Sequence, residues 1–323
     1  MKNKILVVGG AGYIGGYMTD CLLEAGHDVT VFDSLMYEDR FLKNVKFIKG
    51  YIWSQEELLK ILPQYDTVVW LAAIVGDGAC AVDPRGSKRS NEDTVKWLVD
   101  NYEGKIVFTS TCSVYGKNNN LIDESDSPNP LSVYAETKLA AEQYIVKNHN
   151  DYLIFRLGTL YGLGDTYSRI RLDLVANVLA YKASVGEELS VFGGEQWRPL
   201  LHVKDVAEAT AFCLSRKING LYNLSEDNYR ISAIAEEIKK VLPEARIMFT
   251  SMEFEDQRNY KVKNDKIFST GWRPKHTLKQ GIEEIVQIFK EKRVIDPTDP
   301  IYSNEVFLKE EKRKHSGETF ELW

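Results

Sequence analysis

Gly9, Gly12 and Gly15 stand three apart between an apolar run, Lys4–Val8 (KILVV), and a stretch of helical spacing, Tyr13–Ala25, that Gly26 stops. An apolar run unbroken by polar residues suits a strand buried on both faces, as in a parallel sheet. Turning from such a strand into a helix on residues without Cβ lets a pyrophosphate approach the main chain and lets the helix pack close to the sheet. The phosphates then meet the orphan N–H groups of the helix N-terminus. Tyr13 and Ile14 belong to the same turn. Asp33 ends a second strand, Asp28–Phe32, and lies 18 residues past Gly15. A carboxylate there accepts hydrogen bonds from ribose hydroxyls and repels a 2′-phosphate, so the expected cofactor is NAD, not NADP.

Further β-like runs follow at Val45–Ile48, Thr67–Ala73, Lys105–Ser110 and Tyr152–Leu157, with helix-like stretches between them at Glu56–Ile61, Asp93–Asn101 and Tyr134–Lys147. This alternation has the pitch of βαβ units, so the first half reads as a doubly wound parallel α/β sheet. Beyond Leu157 the rhythm loosens. Ile170–Lys182, Val206–Leu214 and Ile231–Leu242 look helical, Val191–Val203 looks like strands and a turn, and Gly220–Leu224 reads as a strand. The chain of 323 residues is long enough for two domains. The expected division is a dinucleotide-binding domain over 1–160 and about 200–225, and a smaller mixed α/β substrate domain over about 161–199 and 226–290. A charged tail, 291–323, carries the run Lys309–Lys314 (KEEKRK), which reads as a solvated helix end or a frayed terminus.

A net charge of −6 argues against nucleic acid as a partner, because surfaces that track phosphate backbones need a basic excess. No apolar run approaches a membrane span, the N-terminus lacks the pattern of a signal peptide, and four scattered cysteines show no metal-type spacing. No metal and no membrane are expected, and a cytoplasmic location with reduced thiols is.

Tyr134 and Lys138 stand four apart, which on a helix places both on one face. A phenol with a pKa near 10 is a poor base at neutral pH. A neighbouring ammonium and a positively charged nicotinamide both favour its phenolate. Among 17 tyrosines such a pair means little alone. Its context is what counts. GGAGYIG, Asp33, Leu71-Ala72-Ala73, Ser110-Thr111-Cys112-Ser113-Val114-Tyr115-Gly116 and Tyr134-Ala135-Glu136-Thr137-Lys138 occur in the order of the extended short-chain dehydrogenase/reductases. The chain resembles their nucleotide-sugar epimerase/dehydratase branch from Lys4 to about Ile288.

That resemblance implies a Rossmann fold and a catalytic set of Thr111, Tyr134 and Lys138. It also assigns cofactor contacts to Gly9, Gly12, Tyr13, Ile14, Gly15, Asp33, Ile52, Leu71, Ala72, Ala73 and Ser110, besides Tyr134 and Lys138. Tyr134 would take a hydroxyl proton while Thr111 holds the oxygen; Ser110 and Ser113 are the neighbouring hydroxyls. Relatives commonly have an acid near the adenine where this chain has Tyr51, which could stack on or flank the base, or simply pack. The 4,6-dehydratases carry an Asp-Glu pair immediately after the catalytic Thr, where this chain has Cys112 and Ser113. Dehydration is therefore not expected. In the segment Val191–Asp205 the resemblance gives Arg198 the nucleotide diphosphate. Arg258 looks like a second phosphate or ribose ligand, and Ser113 and Thr159 are the remaining substrate candidates. Asp205 is expected to anchor its loop or cap the next helix, and His202 to be structural.

The function implied is an NAD-dependent oxidation at C4 of a nucleotide-diphosphate sugar. It would stop at the 4-keto sugar, on a GDP-heptose for surface polysaccharide in one specific form, or complete a 4-epimerisation. A nucleotide-4-keto-sugar reductase is one alternative. From a different class, the other is a non-catalytic NAD-binding scaffold, which commonly lacks the Tyr or the Lys. Relatives usually pair as homodimers through helices corresponding to Asp93–Asn101 and Tyr134–Lys147.

Overall fold

In the computed structural model, which describes residues 2–250 and 258–314, seven strands form one parallel sheet. Its first five in chain order are β1 (Lys4–Val8), β2 (Asp28–Asp33), β3 (Lys46–Lys49), β4 (Thr67–Trp70) and β5 (Lys105–Thr111). Across the sheet the order is Gly220–Leu224, Tyr152–Leu157, β5, β4, β1, β2, β3. Consecutive strands thus step outward from β1 in one direction and, after a crossover, in the other. This is the doubly wound Rossmann arrangement, and its strand order reverses between β1 and β4, where such sheets open a ligand crevice at the carboxyl ends.

Burial on both faces follows from the side-chain alternation of a strand. Along β1, Leu6 and Val8 join Phe32, Trp70, Phe108 and Ile154 in one core, whereas Ile5 and Val7 join Val69, Val107 and Phe155 in the other. All eleven are 1 % exposed or less, so the sheet is closed to water on both sides.

Helix α1 (Gly15–Glu24) starts two residues later than the spacing of apolar residues indicates, because Tyr13 and Ile14 are spent in the turn. A separate core gathers Tyr161, Leu179, Leu189, Leu200, Ile238 and Ile282. Two smaller pairings flank it: Leu189–Phe192 beside Ile247–Thr250, and Trp197–His202 between Thr159–Tyr161 and Asp227–Arg230. The helix expected over Ile170–Lys182 runs instead over Val175–Ser184, and Ile170–Leu174 is irregular chain leading into it.

The charged tail is not merely solvated. Asn304–Lys314 is a helix with Asn304 and Leu308 buried one turn apart. Leu308 packs on Cys80 and Ala79, with Phe307 and Tyr134 at the edge of the same cluster. The end of the tail, 315–323, lies outside the described residues. Among the described residues no helix is long and apolar enough to cross a membrane.

Candidate active site

A cavity of about 1190 Å³ lies over the carboxyl ends of β1, β2, β4 and β5. That exceeds the roughly 300–1,000 Å³ of a single small-molecule site, leaving room for two ligands side by side. Gly9, Gly12, Tyr13, Ile14, Gly15, Asp33, Ile52, Leu71, Ala72, Ala73 and Ser110 all line it. So do Thr111, Tyr134, Lys138, Thr159, Arg198 and Arg258.

The glycine turn is enforced by space. Gly9 has φ +86°, and a Cβ on it would lie 2.6 Å from the backbone nitrogen of Ala72. A Cβ on Gly15 would lie 2.5 Å from Gly10 Cα. At Gly12 the tightest neighbour is Gly9 O at 3.3 Å, so that position needs glycine less for the protein's own packing than for a close ligand. Asp33 accepts from Ala11 N at 3.0 Å and from Leu35 N at 2.8 Å, tying the carboxylate to the glycine turn it faces. Burial pushes its pKa up, and those backbone donors oppose the shift. Ser110 and Ser90 line the cavity with buried hydroxyls that have no hydrogen-bond partner, as donors reserved for a ligand would. These features fit a dinucleotide.

Tyr51 does not line the cavity itself: it is exposed and stacks on Trp53, with ring centroids 4.7 Å apart. Trp53 is the aromatic that reaches the cavity wall.

Tyr134 enters the cavity from the first turn of the helix Val133–Asn148, whose N-cap Ser132 accepts from Ala135 N at 3.2 Å. Thr111 ends β5 and caps the short turn Cys112–Tyr115, accepting from Ser113 N at 3.1 Å. Burial pushes the Tyr134 phenol well above its ordinary range, while Arg171 and the Thr111 hydroxyl pull the other way. Lys138 is 2 % exposed, with Nζ 4.1 Å from the centre of the Phe108 ring. Burial pushes its pKa down to about 7, against the pull of Cys80 and Glu142. In the protein alone, desolvation therefore favours the neutral form of both groups. A bound cation would shift the balance toward phenolate.

Ser113, in the turn Cys112–Tyr115, is buried directly behind two residues of the cavity wall, Tyr260 and Arg258. Its Oγ lies 3.3 Å from Tyr260 Oη and 3.5 Å from Arg258 Nη1. Cys112 is fully buried and donates to Arg156 O at 3.1 Å; burial pushes its thiol up, as suits a packing residue. Arg198 and Arg258, 60 residues apart, come together: Arg198 Nη1 donates to the backbone oxygens of Arg258 at 2.5 Å and of Trp197 at 2.9 Å. Arg258 forms an ion pair with Asp77 at 2.7 Å.

Asp205 accepts from Lys275 N and His276 N and so anchors a loop, while His202 bonds Glu284 at 2.9 Å away from the cavity. Asp205, Glu208 and His276 cluster closely, and Glu208 is also paired with Lys275.

The profile of the NAD dependent epimerase/dehydratase family matches residues 5–225. The chain belongs to that family.

This chain covers nearly the whole length of two relatives. One is a UDP-N-acetyl-alpha-D-glucosaminuronate decarboxylase of Bacillus cytotoxicus, 27% identical over 90% of this chain and 99% of that one. Another is a putative UDP-glucose 4-epimerase of Methanocaldococcus jannaschii, 30% identical over 88% and 98%. Among solved structures, MoeE5 in complex with UDP-glucose and NAD is 25% identical, with a TM-score of 0.76 over 90% of this chain and 100% of that one.

Several cavity residues were not singled out from sequence. Arg169 and Arg171 are buried, and Arg171 lies in the irregular segment Ile170–Leu174 that apolar spacing assigned to a helix. Arg171 holds Asp173 at 2.9 and 3.1 Å. Asp77, Asn304 and Glu305 also line the cavity, the last two from the tail. Only the Arg-x-Arg-x-Asp alternation at 169–173 signalled any of them, since period two argues against a helix.

Proposed function

We propose that this family member oxidises the C4 hydroxyl of a nucleotide-diphosphate sugar to a 4-keto sugar. The carrying observation is that Thr111, Tyr134 and Lys138 line one cavity with the Gly9–Gly15 turn, Asp33 and the coupled arginines Arg198 and Arg258. One end of the cavity suits a dinucleotide, and the arginines suit a second diphosphate, which their planar forks grip in pairs of hydrogen bonds. NAD supplies the hydride acceptor when bound.

Thr111 donates to the C4 oxygen and orients it, and Tyr134 Oη removes its proton. Lys138, lodged against Phe108, stabilises the phenolate and holds the nicotinamide ribose. Ser110 gives its unpaired hydroxyl to the cofactor, and Asp33 takes the adenosine ribose. Thr159 lies in the sugar part of the cavity, where a short side chain widens it. Cys112 is buried behind the wall and Ser113 is a hydroxyl bonded to Tyr260, so these two positions offer no carboxyl acid/base pair for water elimination.

Whether the 4-keto sugar is released or reduced again on its other face depends on whether it can turn over while the cofactor stays bound. UDP- and GDP-sugars, a GDP-heptose included, are the substrates to compare. We also propose a homodimer formed through the helices Thr94–Asn101 and Val133–Asn148.

The experiment is to denature the purified protein, identify any released dinucleotide by absorbance and mass, and incubate the native protein with each nucleotide sugar. Retained NAD with a 4-epimer as product supports the epimerase form. A 4-keto product with reduced cofactor supports the dehydrogenase form. Released NADP contradicts the role of Asp33, and no turnover of any nucleotide sugar contradicts the proposal.

A further inference from the structure

Four stretches of chain far apart in sequence meet at the cavity through a bridge of side chains. The Arg169 guanidinium lies 3.5 Å from the centre of the Tyr37 ring. It donates to Ile301 O at 2.8 and 3.1 Å and to Asn304 Oδ1 at 2.6 Å. Asn304 Nδ2 in turn donates to Val75 O at 2.7 Å, and Asn304 N to Asp173 at 2.9 Å. Tyr37, Val75, Arg169 and Asn304 all line the cavity. Tyr37 lies in the chain after β2 and Val75 in the chain after β4, and β1 with its glycine turn stands between those strands in the sheet. The bridge therefore runs from one side of the glycine turn to the other.

A dinucleotide with its adenosine ribose at Asp33, the end of β2, and its nicotinamide at Tyr134 and Lys138, beside Phe108 of β5, has to cross β1. It then passes within the span of the bridge. Arg169 is 7 % exposed and Asn304 4 %, so the linking hydrogen bonds are shielded from water, and those from the guanidinium are charge-assisted. The element that supplies Asn304 is held more lightly. In the helix Asn304–Lys314 only Asn304 and Leu308 are buried, Leu308 in the cluster of Ala79 and Cys80. Phe307 adds a contact with Tyr37, ring centroids 4.6 Å apart, and Lys312 Nζ donates to Val82 O at 2.8 Å. An element docked through so few buried groups opens locally at far less than the cost of unfolding the chain.

We propose that the Tyr37–Arg169–Asn304–Val75 bridge is a clasp over the bound dinucleotide, and that the tail helix has to undock before the cofactor can leave or enter. This rests on the reading of the crevice as the NAD site. A clasped cofactor stays with the protein from one turnover to the next. That favours the redox-neutral outcome, 4-epimerisation, because release of a 4-keto sugar would leave reduced cofactor trapped.

The test is the exchange kinetics of NADH on the full-length protein, in wild type, Asn304→Ala and Leu308→Ala. The first variant cuts the bridge itself; the second loosens the helix from a position outside the cavity lining, and carries the test alone if the first does not fold. Release is followed by NADH fluorescence after a chase with excess NAD, and entry by stopped-flow mixing with dinucleotide-free protein. Both rates are expected to rise by about tenfold or more in each variant, the effect of one or two buried hydrogen bonds or a leucine side chain on the opening equilibrium. A clasp gates both directions, so Kd should move by about threefold or less, and the affinity for UDP should not change. Unchanged release in both variants overturns the clasp and leaves the NAD reading standing. Faster release with unchanged entry also overturns it, since the bridge would then be an ordinary binding contact. If wild type binds no NADH, the clasp and the NAD reading fall together.

Discussion

Arg198 donates its guanidinium N–H to the backbone oxygen of Arg258 at 2.5 Å, so one diphosphate candidate positions the other. Arg198 is 5 % exposed, whereas Arg258 sits nearer the mouth in an ion pair with Asp77. The inner arginine thus braces the backbone of the outer one.

Arg198→Ala should therefore cost more than Arg258→Ala. The expected outcome is a rise in KM of about tenfold to a hundredfold, some 1.4–2.7 kcal/mol of binding, with a smaller change in kcat. Because the two residues touch, the double variant should lose less than the sum, with a coupling of about 0.5–3 kcal/mol in a double-mutant cycle. Strict additivity in steady-state kinetics would mean that the 2.5 Å contact does not matter to binding.

Asp33→Ala removes the carboxylate that faces the ribose site and also the acceptor of Ala11 N. NAD affinity should fall, and the preference for NAD over NADP should shrink by about tenfold or more, because the 2′-phosphate no longer meets a negative charge. Fluorescence titration with both dinucleotides measures this. A variant that keeps the full preference would move cofactor selection elsewhere.

The lowered pKa of Lys138 has a consequence for stability. Its folded-state value is pushed down to about 7 from 10.5, so between those values the unfolded chain binds more protons than the native one. Stability then rises with pH across that window, by at most about 1.4 kcal/mol per pH unit from this group. Lys138→Met removes the term. In urea titrations of dinucleotide-free protein between about pH 7.5 and 9.5, the gap between wild type and variant should grow in favour of wild type as pH rises. Parallel pH profiles would show that the ammonium is not desolvated.

The parts of this site that lie within one local motif were legible in the sequence. The glycine turn is dictated by backbone space at Gly9 and Gly15, and the Tyr134–Lys138 pair by helix pitch, so each reads locally. What failed were features decided by tertiary contacts. Ile170–Leu174 has the apolar content of a helix, but Arg169 and Arg171 bond the tail and Asp173 and line the cavity, and that stretch stays outside the helix. Tyr51 was weighed as an adenine contact because it stands where relatives have an acid, yet Trp53, two residues on, faces the cavity. The run Lys309–Lys314 is the solvated end of a helix, as its charges suggest, but the docking of that helix through Asn304 and Leu308 could not be read from single residues. The partners of Ser113 could not be read locally either, since Tyr260 and Arg258 lie 147 and 145 residues further along the chain.

The most direct measurement is the turnover of Tyr134→Phe on whichever nucleotide sugar the wild-type protein converts, alongside dinucleotide binding by the same variant. Removing only the phenolic oxygen should lower kcat by about 10²–10⁴-fold, the usual worth of a positioned general base, while NAD still binds. Full turnover in that variant would contradict the assignment of Tyr134 as the base, and with it the mechanism.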